Sequence, residues 1–187
     1  MPRLKLLDTP LPELYRIERA VTGDQRGYFE RLYCSEELAP ALGGRSIVQI
    51  NRSHTLAQAA VRGLHFQYPP AAETKIVSCL RGEVFDVAVD LRAGSDTFLQ
   101  WHAEVLSEDN HRSLLIPEGF AHGFQTLRED CELLYLHTAA YDPEREGGLD
   151  CLDGRIGIRW PLPVSNRSAR DESLPPVTDA FGGITLV

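Results

Sequence analysis

The sequence has no apolar run near the ~20 residues that a bilayer-crossing helix needs. Its opening, MPRLKLLDTPLPELYRIER, lacks the continuous apolar core of a secretory signal and soon turns charged. Positive charge is also scarce: 19 Lys and Arg stand against 27 Asp and Glu, a formal net charge of −8. That balance argues against a nucleic-acid surface, although a local Arg cluster can still hold a small anion. The cysteines Cys34, Cys79, Cys131 and Cys151 are scattered, with no CxxC pair. They read as reduced thiols in a cytosolic protein, with neither a disulfide frame nor a cysteine-built zinc site. Long helical periodicity is scarce, and no repeat, linker or low-complexity block divides the chain, so one domain over residues 1–187 is expected.

What remains is a series of short strands. KIVSCL (75–80) reads as a strand and Arg81-Gly82 as a turn. EVFDVAVDLR (83–92) alternates, with Phe85, Val87, Val89 and Leu91 on one face and Val84, Asp86, Ala88 and Asp90 on the other. After the turn AGSD, the segments TFLQWHAEVLS, SLLIP, GFQTL and ELLYLHT are further strand candidates. Many short strands with turns between them indicate a mainly β sandwich, jelly roll or barrel. SEELAPAL (35–42) predicts a short helix capped by Ser35, and 163–176 reads as irregular.

The stretch VRGLHFQ, residues 61–67, holds the first chemical candidate. His65 suits a hydrogen-bonded core position, a metal site or a general base. Metal-binding cupins, a jelly-roll group, carry two His one residue apart and a third after a PxG turn. Here IPEGFAHGF supplies His122 after Pro117 and Gly119, but Gln67 stands where the second His would be. Two imidazoles and a neutral amide make a poor shell for zinc or iron. A base needs other company: an orienting carboxylate, a cation for a developing oxyanion and an acid. Asp171, Lys75 and Tyr135 are candidates, the last sharing a strand face with Leu133 and His137. Alone, each also fits a structural role: a tail charge, a solvated strand end, a core aromatic. Arg26, Arg62 and Arg170 could bind diphosphate. Gln49 and Asn51 share a strand face and could read a base or sugar.

Taken together, DQRGYF, QINRS, VRGLHFQ, RGEVFDVAVDLR, LSEDN, IPEGFAHGFQTL, ELLY, YDPEREGG, IGIRWPLP and SARD resemble the dTDP-4-dehydrorhamnose 3,5-epimerase family over nearly the whole chain. The resemblance implies a metal-free, cofactor-independent cupin-type jelly roll (double-stranded β-helix) with few short helices, cytoplasmic and homodimeric. The activity it implies is inversion of carbons 3 and 5 of a nucleoside-diphosphate 4-keto-6-deoxyhexose. His65 would be the base, Asp171 its orienting partner, Tyr135 the acid and Lys75 the group beside the enolate. Arg26, Gln49, Asn51, Arg62, His122, Glu146 and Arg170 fall on substrate-binding positions. Because an Arg62–His65 spacing points to opposite faces of a regular strand, a bulge or bend at Gly63 is expected. Departures from the family pattern are Arg31 for Glu beside the nucleotide, Leu136 for Lys after Tyr135, and Gly147 for Arg. They leave room for a one-carbon epimerase or another nucleotide sugar. A metal-dependent cupin and a non-catalytic sugar-nucleotide binder are the competing classes.

Overall fold

The computed structural model describes residues 2–186. In chain order it contains β1 (Leu4–Asp8), β2 (Tyr15–Arg19), β3 (Val21–Asp24), β4 (Gly27–Glu30), helix α1 (Ser35–Leu42), β5 (Gln49–Thr55) and β6 (Val61–Gln67). Then come β7 (Lys75–Arg81), β8 (Glu83–Asp90), β9 (Trp101–Ser107), β10 (Arg112–Ile116), β11 (Phe120–Thr126), β12 (Cys131–His137), β13 (Glu146–Gly148) and helix α2 (Ala169–Glu172). One antiparallel sheet runs β1-β2-β10-β7-β12-β5 and a second runs β13-β6-β11-β8-β9, while β3 and β4 form a separate hairpin. The non-sequential neighbours and two packed sheets make a jelly roll.

The alternation in β8 shows how sequence sets the layers. Val84 and Ala88 join Val77, Cys79, Leu114 and Leu133 in the core between the sheets. Val87, Val89 and Leu91 face the other way, yet they too are buried, against Leu149, Cys151, Ile156, Val177 and Ile184. The C-terminal residues therefore form a cover over the second sheet, which removes an apolar face from water. A third cluster packs Leu38 and Leu42 of α1 onto Ile76, Leu115 and Leu136. Leu136, one of the departures noted above, fills that outer layer.

Three local expectations need correction. Ser35 is the first helical residue; the N-cap is Cys34, which has extended backbone and makes no side-chain cap bond. The helix start is held instead by Glu37, whose carboxylate accepts the backbone N–H groups of Arg3 and Leu4 and pairs with Arg31. Residues 97–100 are a turn, so β9 starts only at Trp101. The buried Asp90 carboxylate draws the Ser95 and Thr97 hydroxyls to 2.6 Å each and folds the segment back. Finally, 163–176 contains α2, started by Ser168, whose hydroxyl accepts from Asp171 N at 3.1 Å.

The irregularity expected near Gly63 is present. Pairing of β6 with β11 runs His65↔His122 and Arg62↔Phe124, so Gly63 and Leu64 oppose Gly123 alone. This bulge turns both Arg62 and His65 to the same pocket. Gly63 sits at φ +122, and a Cβ there would lie 2.6 Å from Gly123 Cα and 2.7 Å from the His122 carbonyl oxygen. Gly63→Ala is therefore expected to destabilise the fold by about 3 kcal/mol in denaturant melts. A loss below about 0.5 kcal/mol would contradict this account of the bulge.

Candidate active site

A pocket of about 680 Å³ is lined by residues of both sheets and by the segment around α2. At its wall, His65 Nε2 lies 2.7 Å from Asp171 Oδ1, with the His65 side chain 31% exposed and Asp171 almost wholly buried. The short α2 turn aims that carboxylate, and the Arg167 guanidinium anchors it by bonding the Asp171 carbonyl. With Nε2–H donated to Asp171, Nδ1 is the nitrogen left with a lone pair. Burial lowers the His65 pKa, as do the Arg170 and Lys75 charges, against an upward pull from Asp171. The imidazole is thus held neutral near pH 7.

Tyr135 of β12 lines the same pocket, its hydroxyl 2.9 Å from Ser53 Oγ of β5. Burial pushes the phenol well above its ordinary pKa, so it keeps its proton. Its ring meets that of His122 edge-on at 6.2 Å and stacks on that of His137. His122 is itself tied to the buried Asp86 at 2.9 Å. Lys75 opens β7 inside the pocket, its Nζ 3.1 Å from Glu73 Oε1. A carbonyl compound lodged here would meet a neutral imidazole, a protonated phenol and an ammonium.

The cationic residues differ in what they have free. Arg62 donates to Thr55 Oγ1 and the His54 carbonyl, and among the described residues it has no carboxylate within salt-bridge distance. Its charge is available to an anion. Arg170 pairs with Glu146, which also accepts from the Tyr141 hydroxyl at 2.6 Å. Asn51 lines the pocket, whereas Gln49 lies outside it and accepts from Tyr141 N at 3.0 Å. Arg31 is turned away by its bond to Glu37, and Arg26 sits at the exposed tip of the β3–β4 hairpin, clasped by Asp24. One chain therefore does not bring Arg26, Arg31 and Gln49 into the pocket.

The Gln67 amide donates to the carbonyls of Ala71 and Ala140 and accepts from Asp142 N, bracing two loops. Gly147 is required by its neighbours: a Cβ there would lie 2.5 Å from the Phe66 ring. Sequence reasoning passed over Ser53, Glu73 and Asp86. Ser53 was within reach, because it continues the Gln49–Asn51 face by two residues.

Sheet order and pocket position define a jelly roll of the cupin-like kind. A sequence profile described as dTDP-4-dehydrorhamnose 3,5-epimerase matches residues 8–179. The dTDP-4-dehydrorhamnose 3,5-epimerase of Salmonella typhimurium is 43% identical over 178 residues, covering 94% of this chain and 97% of that protein. A Legionella pneumophila dTDP-6-deoxy-D-glucose-3,5-epimerase, solved with dTDP-4-keto-L-rhamnose, superposes with a TM-score of 0.91 at 37% identity, covering 98% and 99% of the two chains. A 3′-monoepimerase from Streptomyces bikiniensis, solved with dTDP-quinovose, gives 0.83 at 29% identity, covering 90% and 85%. The chain belongs to the dTDP-4-dehydrorhamnose 3,5-epimerase family and is an isomerase.

Proposed function

We propose that this chain inverts carbons 3 and 5 of dTDP-4-keto-6-deoxyglucose to give dTDP-4-keto-rhamnose, using its own side chains for proton transfer. The observation that carries the proposal is the His65 imidazole, bonded to the buried Asp171 carboxylate, sharing a pocket with the protonated Tyr135 phenol. The ketone at carbon 4 acidifies the hydrogens on carbons 3 and 5. His65 Nδ1 takes one of them, and the electron pair moves to the carbon-4 oxygen as an enolate. The Lys75 ammonium stabilises that oxygen. Tyr135 gives its own proton to the opposite face of the carbon, so the enolate returns to the ketone with inverted configuration. The imidazolium then loses its proton to water, and the tyrosinate regains one from water before the second carbon reacts. Asp171 holds the tautomer and stabilises the imidazolium formed. Arg62 takes the diphosphate, and Asn51, His122 and the Glu146–Arg170 pair bound the sugar end. Conversion assayed by trapping the product with a 4-ketoreductase tests the reading, and folded protein without turnover would refute it.

The pH dependence follows from the base. Only neutral His65 accepts a proton, and its pKa lies below the ordinary imidazole value. The kcat/KM profile is expected to rise with pH, with its acid midpoint below about 6.5. Since the Tyr135 pKa is raised, phenol ionisation should cause no loss up to about pH 10. An acid midpoint above the free imidazole value would contradict this assignment.

The same reading includes a homodimer working in the cytoplasm, where the four unpaired cysteines stay reduced. The β3–β4 hairpin leaves Tyr28 and Phe29 each 60% exposed, and edge strand β5 leaves Ile50 61% exposed. A second copy covering them would bury this apolar surface and give Arg26 a route to a pocket. Light scattering should give twice the 20.9 kDa chain mass; a monomer would contradict this part.

A further inference from the structure

Besides Asp171–His65 and Asp86–His122, a third carboxylate–imidazole pair stands at the same pocket, and the scheme above does not use it. Glu73 precedes β7. Its Oε2 accepts from His137 Nδ1 at 2.7 Å, and its Oε1 accepts from Lys75 Nζ at 3.1 Å. All three side chains are largely buried, at 11%, 9% and 12% exposure. With Nδ1–H given to Glu73, His137 Nε2 faces Asn51 Nδ2, 3.4 Å away. The backbone here is also fixed. Thr74 N donates to Thr138 Oγ1 at 2.8 Å, and Thr138 N donates to the Thr74 carbonyl at 3.1 Å. Burial would raise the Glu73 carboxyl, but the His137 bond and the Lys75 charge outweigh it and hold the group below the usual range. Both oxygens of this anion are therefore engaged, one by each neighbour.

We propose that Glu73 is a positioning residue for the reaction: it fixes the Lys75 ammonium in the pocket, and His137 fixes Glu73. This rests on the reading that Lys75 serves the enolate oxygen. A lysine side chain is long and freely rotating, so an unheld ammonium would have to be ordered during the reaction. Glu73 occupies one of its three N–H donors and leaves two for a ligand. The ammonium is then in place before charge develops, which is what electrostatic catalysis requires. A bare carboxylate beside an enolate would repel it. The His137 bond draws the second Glu73 oxygen toward the imidazole, and Tyr135, stacked on His137, keeps that ring in place. The two dyads thus divide the work: Asp171–His65 moves a proton, and His137–Glu73 holds a cation.

The test is a double-mutant cycle on turnover of dTDP-4-keto-6-deoxyglucose. Glu73→Gln keeps the shape and removes the charge. It is expected to lower kcat about 10- to 100-fold with KM little changed. In a Lys75→Met background the same substitution should cost nothing further, because the group it acts through is gone. His137→Gln should show the same dependence on Lys75, and it serves as the second variant if Glu73→Gln does not fold. Wild-type kcat in Glu73→Gln would overturn the proposal. Equal fold losses with and without Lys75 would also overturn it, since a purely structural role predicts them. An inactive wild-type protein would overturn the function reading and this inference together, whereas an active wild type with additive losses overturns this inference alone.

Discussion

His65→Gln is expected to lower kcat by about 10²- to 10⁴-fold while the melting behaviour stays close to that of the wild-type protein. The size follows from the role of a positioned general base. The direction follows from geometry: the His65 imidazole faces the pocket and rests on the buried Asp171 carboxylate of α2, 2.7 Å away. Gln, whose Nε2 can take the place of the imidazole Nε2, preserves a donor toward Asp171 but offers no nitrogen of comparable basicity to the pocket. Its partner is not left as an uncompensated buried charge, which would otherwise cost stability. Deuterium exchange into the sugar at carbons 3 and 5 should fall together with turnover, because both begin with proton removal. A variant that keeps more than about a tenth of wild-type kcat would remove His65 from the role of base.

Tyr135→Phe should separate the two halves of the reaction. The ring remains to pack against His122 and His137, so the pocket keeps its shape. What goes is the hydroxyl that Ser53 orients and that burial keeps protonated. Removal of a proton by His65 does not need that hydroxyl, whereas delivery to the opposite face does. Inverted product is therefore expected to fall about 10²- to 10⁴-fold. Exchange with solvent deuterium should persist, because His65 can return a deuteron to the face it came from. Equal losses in exchange and inversion would show that Tyr135 acts before the enolate forms.

The strand pattern was readable because its faces are chemically distinct. In β8 the inward Asp86 and Asp90 interrupt apolar positions with period two, and both faces find cover. The need for a bulge at Gly63 was also legible, since Arg62 and His65 cannot share a face of a regular strand. Cap and turn details were not. The α1 start is set by Glu37 reaching back to β1, a contact between segments more than thirty positions apart. The fold of 97–100 is set by the buried Asp90. The ordered α2 turn depends on Ser168 and Arg167 converging on Asp171. Within the pocket, His65, Lys75, Tyr135 and Asp171 could be named from their residue types and the family resemblance. The Glu73–His137 pair could not, because it joins residues 64 positions apart through a register that only the folded sheet supplies. Arg31 shows the converse: the family resemblance put its position beside the nucleotide, and the fold gives it Glu37.

Double inversion by this chain is tested most directly by proton NMR of dTDP-4-keto-6-deoxyglucose incubated with the protein in deuterium oxide. The product is then trapped by a 4-ketoreductase so that its configuration can be read. Deuterium is expected at both carbon 3 and carbon 5, with a rhamnose-configured product. Deuterium at a single carbon would contradict double inversion and place the chain with one-carbon epimerases. No incorporation by folded protein would contradict proton transfer by His65 on this substrate altogether.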